Sequence, residues 1–142
     1  MRNPRRDDDR GQTLLLAPIA VLIVVVLGAV TLEVASLHLQ QRRLDDLADT
    51  VANDAATVGF DVQTFRQSGD ITIDLGVANQ VAADSISMSS LPETAMTSLG
   101  LPAPDMVELD LSYEYQFILG RSIFGVTTEL TATGRATLVP SL

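Results

Sequence analysis

Residues 13–32, TLLLAPIAVLIVVVLGAVTL, contain no charged side chain and consist mainly of Leu, Ile and Val. An α-helix rises about 1.5 Å per residue, so this run spans roughly 30 Å, the thickness of the hydrocarbon core of a bilayer. A helix also pairs its backbone N–H and C=O groups within the segment, as the lipid interior requires. The run from Thr13 to Leu32 therefore predicts a transmembrane helix.

The basic residues on either side of this run predict its orientation. Within about 15 residues after the run, the basic residues are Arg42 and Arg43, whereas four arginines precede it. These four are Arg2, Arg5, Arg6 and Arg10. The positive-inside rule then places the N-terminus in the cytoplasm and the bulk of the chain outside a single-pass membrane anchor. A cleaved secretory signal is the alternative, but its apolar stretch is only about 7–15 residues long.

Composition limits the functions that the remaining chain can have. The 142 residues carry a net charge of −9 and include one histidine and no cysteine. Because the leader before Gly11 has more arginines than aspartates, the acidic charge lies beyond it, which disfavours nucleic acid as a partner. The sequence has no Gly-rich phosphate loop and no H-E-x-x-H motif. We therefore expect no enzyme activity, no cofactor, no metal site and no small-molecule substrate.

The helix predicted over the apolar run continues beyond it. Residues 33–58 contain no proline and no glycine. At helical spacing one stripe contains Leu37, Leu44, Leu47, Val51, Ala55 and Val58. The sequence predicts one helix from near Gln12 to near Val58, with Gly59 as its C-cap. Glu33, at the outer end of the apolar run, is either an interfacial carboxylate or a contact with a neighbouring subunit. The residues predicted to contact a partner helix are Glu33, Leu37, Leu44, Leu47 and Val51.

The last third of the chain alternates apolar and polar residues. Residues 107–117, VELDLSYEYQF, alternate with period two, and residues 126–138 do the same after a short turn. The sequence predicts an antiparallel β-hairpin. A lone hairpin is marginally stable in water, so its apolar face needs a cover. The amphipathic half of the long helix is the predicted cover, and Ala132, Gly134 and Ala136 are small enough to let it approach closely.

The middle of the chain has weaker patterns. DITIDL (70–75) predicts a short strand, residues 76–88 predict a short helix, and LPETAMTSLGLPAPD (91–105) is interpreted as a linker because it contains three prolines. The fold class is α+β: a long N-terminal transmembrane helix with an amphipathic extension, followed by a small head that contains the C-terminal hairpin. The predicted segments are a charged leader (1–11), the transmembrane helix (12–33), its extension (34–59), the strand, helix and linker region (60–105) and the hairpin head (106–142).

The order of these features resembles the TadE/TadG-like family. A charged leader ending in RGQ, an unbroken apolar helix, the acidic extension LDDLADTVANDAA and a late Thr- and Ala-rich hairpin follow one another along the chain. The resemblance is most specific between Arg10 and about Val58. Members of this family are minor pilins, or pseudopilins, of the bacterial Tad (Flp) pilus system, within the type IV pilin-like class.

The resemblance implies a maturation step and a set of partners. In such proteins a membrane-embedded prepilin peptidase cuts on the cytoplasmic side, just before the apolar helix. Here the cut would fall between Gly11 and Gln12. The partners implied are the membrane, other pilin-like subunits, the Tad assembly machinery and the prepilin peptidase, and the protein would lie in the cell membrane or in the pilus.

One position departs from the pilin-like pattern. Many members of the class carry glutamate at the fifth position of the mature chain, and counting from Gln12 this position is Leu16. Leucine there suits a TadG-like member, an assembly accessory or a subunit that stays in the membrane. The alternative function is a signal-anchored, single-pass envelope protein whose small outer domain binds another envelope protein, with Gly11 as a hinge before the anchor.

Overall fold

The computed structural model describes residues 5–92, 94–117 and 127–139, with side chains from Leu16 onward. Its helices are α1 (Arg5–Val58), α2 (Val62–Ser68) and α3 (Leu75–Ser87), and its strands are β1 (Met96–Ala103), β2 (Met106–Gln116) and β3 (Thr127–Thr137). The chain divides into two compact units, Met1–Leu37 and His38–Leu142, and we call the second unit the head. A long apolar N-terminal helix and a small antiparallel sheet confirm the predicted α+β class.

The first unit contains the apolar part of α1. From Leu16 to Val34 nearly every side chain is exposed, and Pro18 lies inside the helix without ending it. Among the described residues, α1 is the one helix that is long and apolar enough to cross a membrane, and none of its apolar window is buried. A helix from the core of a soluble protein would be mostly covered, so the exposure of this segment is typical of an anchor or a signal sequence.

The head is built on a three-stranded antiparallel sheet in the order β1-β2-β3, with β2 in the centre. In the register of β2 and β3, Leu109 lies opposite Gly134 and Leu111 lies opposite Ala132. Residues of β2 alternate between buried and more exposed positions, so the strand presents one face to the core. The strand predicted at 107–117 is confirmed to within one residue at each end, and the strand predicted at 126–138 is confirmed to within one residue at its C-terminal end. The predicted start at Val126 and the turn before it lie outside the described residues.

The amphipathic half of α1 covers the inner face of this sheet. The buried residues of α1 are Leu44, Ala48, Val51, Ala52, Ala55 and Ala56, and those of β2 and β3 are Val107, Leu109, Leu111, Tyr113, Leu130 and Ala132. The side-chain amide of Gln41 donates a 2.8 Å hydrogen bond to the backbone carbonyl of Thr131 in β3. The predicted packing of the helix on the hairpin is therefore confirmed within the head.

The interpretation of residues 91–105 as a linker is wrong, because β1 occupies Met96–Ala103 within it. The prolines stand where a strand tolerates them. Pro102 lies in the irregular part of the register between Gly100 and Ala103 on an edge strand, and Pro104 lies in the two-residue turn to β2. The predicted hairpin is thus the larger part of a three-stranded sheet.

Two further predictions for the middle of the chain need correction. Of the strand predicted at 70–75, only Ile73 forms a β-bridge, with Phe60, and Leu75 already begins α3. The short helix predicted at 76–88 exists as α3, capped by the side chain of Asp74. Helix α2 was not predicted. It begins after Asp61, whose carboxylate accepts hydrogen bonds from the backbone N–H groups of Gln63 and Thr64.

Gly59 ends α1, but not through the left-handed backbone expected of a glycine C-cap. Among the described residues, Gly69 at the end of α2 is the glycine with positive φ. Gly59 is instead required by close packing. A Cβ there would lie 2.6 Å from the carbonyl oxygen of Ala55, 3.0 Å from Ile73 and 3.2 Å from Ala78. The chain can therefore turn sharply from α1 towards α3 only with glycine at this position.

Candidate functional site: helix α1 and its contacts in the head

The predicted cleavage position lies within the backbone of α1. Gly11 and Gln12 fall inside Arg5–Val58, upstream of the residues whose side chains are described. The predicted span from Thr13 to Leu32 follows within the same helix. The structure therefore places the proposed scissile bond just before the apolar segment, while its cleavage stays a prediction.

The five residues predicted to contact a partner helix separate into two groups. Leu44 and Val51 are only 2% and 1% exposed, because the head's own sheet covers them. They contact this chain, and a second chain cannot reach them without opening the core. Glu33, Leu37 and Leu47 are half-buried, so a partner contact at these positions stays a prediction.

The backbone of α1 lies against the sheet at Gly134 of β3. A Cβ added to Gly134 would overlap the backbone carbonyl of Ala48 and approach the backbone nitrogen of Asp49 at 2.7 Å. Ala48, Ala52 and Ala55 on the facing side of the helix are all 0% exposed. Small residues on both elements therefore let the α1 backbone lie directly on the sheet, as the sequence analysis expected for Gly134.

A groove of about 660 Å³ opens beside this contact. One wall of the groove is formed by Gln40, Arg43 and Leu47 of α1, and another is formed by Tyr113 and Tyr115 of β2. The residues around Leu91 and Pro92 form a third wall. Burial raises the pKa of Tyr113 above its ordinary value of 10.0, and the neighbouring Tyr115 adds to the shift. Tyr113 is therefore a neutral wall of the groove at physiological pH, where an ionised phenol would be poorly solvated.

The outer face of the sheet carries polar pairs between strands. Arg135 forms an ion pair with Glu108, and the Thr133 hydroxyl donates a 2.6 Å hydrogen bond to Asp110. Further along the same strands, Glu114 lies directly opposite Glu129, and both are exposed. Carboxylates that face one another across strands repel, so this pair of like charges destabilises the pairing of β2 and β3 slightly.

Within 16–92, 94–117 and 127–139, no group of three or more His, Asp or Glu residues could hold a metal ion. Asp61 has its pKa lowered chiefly by the hydroxyl and backbone N–H of Thr64, which is the behaviour of a helix cap. The features that distinguish this chain are therefore an exposed apolar helix and a tightly packed acidic head. No family model, no curated protein and no solved structure matches the chain.

Proposed function

We propose that this protein is a structural subunit of a pilus-assembly system, a TadE/TadG-like minor pilin held or assembled through its N-terminal helix. The observation that carries the proposal is the division of α1. Its first part is apolar on every side and exposed, whereas its second part packs on the inner face of the antiparallel sheet. A helix that is apolar all round needs lipid or other helices around it, and a pilin-like subunit uses both in turn.

The acidic head supports a role in binding rather than in chemistry. Its packing leaves the polar face of α1 and the outer face of the sheet accessible, and both carry carboxylates. An assembly subunit needs such surfaces to contact neighbours and to remain soluble outside the membrane. The proposal places the head on the extracytoplasmic side and the arginine-rich leader in the cytoplasm.

The Gly11–Gln12 bond is the position at which the proposal is tested. The Gly11→Leu variant should keep its leader in the native membrane, because a bulky side chain replaces the small residue before the scissile bond. Gly28→Leu is the matched control, since Gly28 lies in the same helix with no atom within 4 Å of an added Cβ. The mass of each protein reports processing. Equal processing of Gly11→Leu and Gly28→Leu would refute the assignment.

A second candidate function rests on Leu16 and the groove. Without glutamate at the fifth position after Gly11, the chain lacks the carboxylate that many pilin-like subunits carry there. The groove between α1 and β2 is large enough to receive side chains of another protein. A signal-anchored envelope protein with a binding head would use the groove and keep its leader, so the same mass measurement separates the two functions.

A further inference from the structure

The head's sheet has two edges, because β2 lies in the centre and each outer strand pairs with it on one side only among the described residues. The backbone N–H and C=O groups along such an edge can pair with a strand of another chain. Proteins usually prevent this pairing with charged side chains, prolines or a covering helix. The edges of β1 and β3 differ in these protections.

The edge of β3 is protected. The backbone of α1 lies against this strand at Gly134, and the side-chain amide of Gln41 donates a hydrogen bond to the carbonyl of Thr131. The strand also carries two charged side chains, Glu129 and Arg135, and both are exposed. A strand added at this edge would have to compete with Gln41 and to accommodate both charges.

The edge of β1 lacks these protections over its first five residues. Residues 94–104, TAMTSLGLPAP, contain no charged side chain, in a chain with 18 acidic residues. Met96 is 75% exposed. Thr97 has its side chain on the inner face and is also exposed, so neither α1 nor α3 covers this part of the strand. The edge from Met96 to Gly100 is therefore open, and Pro102 interrupts only the part beyond it.

The hydrogen-bond pattern shows which residues of β1 face this open edge. The backbone N–H of Leu138 donates a 2.9 Å hydrogen bond to the carbonyl of Asp105, in register with the β2–β3 pairing. In antiparallel strands every second residue directs both backbone groups to the same neighbour. Carried through the two registers, this alternation directs the even-numbered residues from 96 to 100 towards β2. The backbone groups of Thr97 and Leu99 point away from the sheet.

A second copy of β1 fits this edge in one antiparallel register, with a two-fold axis at Ser98. Thr97 of each copy then lies opposite Leu99 of the other, so all the outward backbone groups of both residues form hydrogen bonds. Met96 lies opposite Gly100 of the second copy. A Cβ added to Gly100 would have no atom within 4 Å, so there is open space for the large Met96 side chain.

The charge of the head also favours this edge for contact between copies. An acidic surface repels a second copy of itself. On the outer face beside β1, the carboxylate of Asp110 lies opposite Ser98. In the paired sheet the Asp110 residues of the two copies would be three strand spacings apart, roughly 14 Å, which exceeds the Debye length of about 8 Å at physiological salt. Pairing through β3 would instead place Glu129 inside the interface.

We propose that the edge of β1 is an interface between two copies of this protein. The two β1 strands pair antiparallel about Ser98 and join the two sheets into one continuous six-stranded sheet. Every residue involved belongs to the head, so the inference does not depend on processing at Gly11 or on the role of the apolar helix.

Disulfide formation between introduced cysteines tests the interface, because the chain contains no cysteine. Ser98 would face its own copy at a position without hydrogen bonds, where Cα atoms are about 4.5 Å apart and a disulfide can form. The full-length Ser98→Cys protein is oxidised in detergent and analysed on a non-reducing gel. Thr133→Cys is the matched control, since Thr133 is also an exposed residue on the outer face of an edge strand.

The expected result is that Ser98→Cys becomes a disulfide-linked dimer while Thr133→Cys stays monomeric. A mixture of Met96→Cys and Gly100→Cys should link the two variants to each other, whereas each variant alone should not link to itself. Equal linkage of Ser98→Cys and Thr133→Cys, or no linkage in either, would overturn the inference. A mixture that does not link would overturn the two-fold register.

A proline at Thr97 separates strand pairing from chance collision. The N–H of Thr97 points away from β2, so Thr97→Pro removes a hydrogen bond to the second copy and leaves the pairing with β2 intact. Combined with Ser98→Cys, it should abolish the linkage without lowering the thermal unfolding midpoint. Leu99→Pro gives the same test if Thr97→Pro fails to fold. Undiminished linkage in a folded proline variant would contradict pairing through β1.

Discussion

Gly134 of β3 lies directly against the backbone of Ala48 in α1, with no room between them for a Cβ atom. This contact determines how the head is built. Because the helix backbone touches the sheet there, neighbouring side chains such as Leu44 and Leu109 become almost completely buried.

Replacing Gly134 with alanine should destabilise the head. The added methyl group would overlap Ala48, so the helix must move away from the sheet, at a cost of about 1–3 kcal/mol of unfolding free energy. Urea unfolding of the full-length protein in detergent, followed by circular dichroism, measures the loss. Gly100→Ala in β1 is the control, since no atom lies within 4 Å of its added Cβ, and its effect should stay within about 0.5 kcal/mol.

Gly59→Ala should also lower stability. Its Cβ would lie 2.6 Å from the Ala55 carbonyl oxygen and 3.0 Å from the Ile73 side chain, so the connection between α1 and the bridge at Ile73 must open. The thermal unfolding midpoint should fall. Gly28→Ala, in the open part of α1, should leave the midpoint unchanged or raise it, because alanine favours helix over glycine by about 1 kcal/mol. Equal midpoints for the two variants would contradict the packing at Gly59.

The cap at Asp61 should make α2 sensitive to acid. Hydrogen bonds from Thr64 lower the pKa of Asp61 below its ordinary value of 3.8. A carboxyl group with a lowered folded pKa stabilises the fold above its unfolded pKa, and the stabilisation is lost as pH falls through the folded value. Stability attributable to this cap should therefore decline from about pH 4 downward.

Asp61→Asn isolates this effect, because asparagine also caps helices but does not titrate. Unfolding midpoints of the two proteins are compared at neutral pH and at several acidic values. The difference between them should change only in the acidic range. A difference that is constant across all pH values would show that the Asp61 carboxylate is not the titrating group.

Neutralising one of the two opposed carboxylates, Glu114 or Glu129, should remove the repulsion between them. Glu129→Gln is expected to increase the unfolding free energy by roughly 0.2–1 kcal/mol at low salt, with a smaller gain at high salt. Glu108→Gln on the same outer face is the control of opposite sign, because Glu108 pairs with Arg135. Glu108→Gln should lower the unfolding free energy by at most about 1 kcal/mol, as expected for the loss of an exposed ion pair.

The sequence predicted the parts of the fold whose residues repeat at a regular period. The stripe containing Leu44 and Val51 identified the buried side of α1, and strict alternation identified β2 and β3. The small residues at Gly134 and Ala132 indicated that a helix would lie against them. In each case the residue types that the local pattern needs are also those that the packing in the head needs. The sequence pattern alone therefore predicts the structure there.

The parts that the sequence did not predict depend on neighbours. Strand β1 contains Gly100 and Pro102 and is defined by its pairing with β2, because its own residues do not alternate clearly. Ile73 is held by a bridge to Phe60 across a loop, and a single bridge leaves no periodic signal.

The proposed role as a processed, pilin-like subunit is tested most directly by the N-terminus of the protein in its native membrane. The protein is extracted without tags and its intact mass is measured. A chain that begins at Gln12 is the predicted result, with the leader up to Gly11 removed. A chain that still begins at Met1, in cells with an active prepilin peptidase, would contradict the account and indicate an unprocessed anchor.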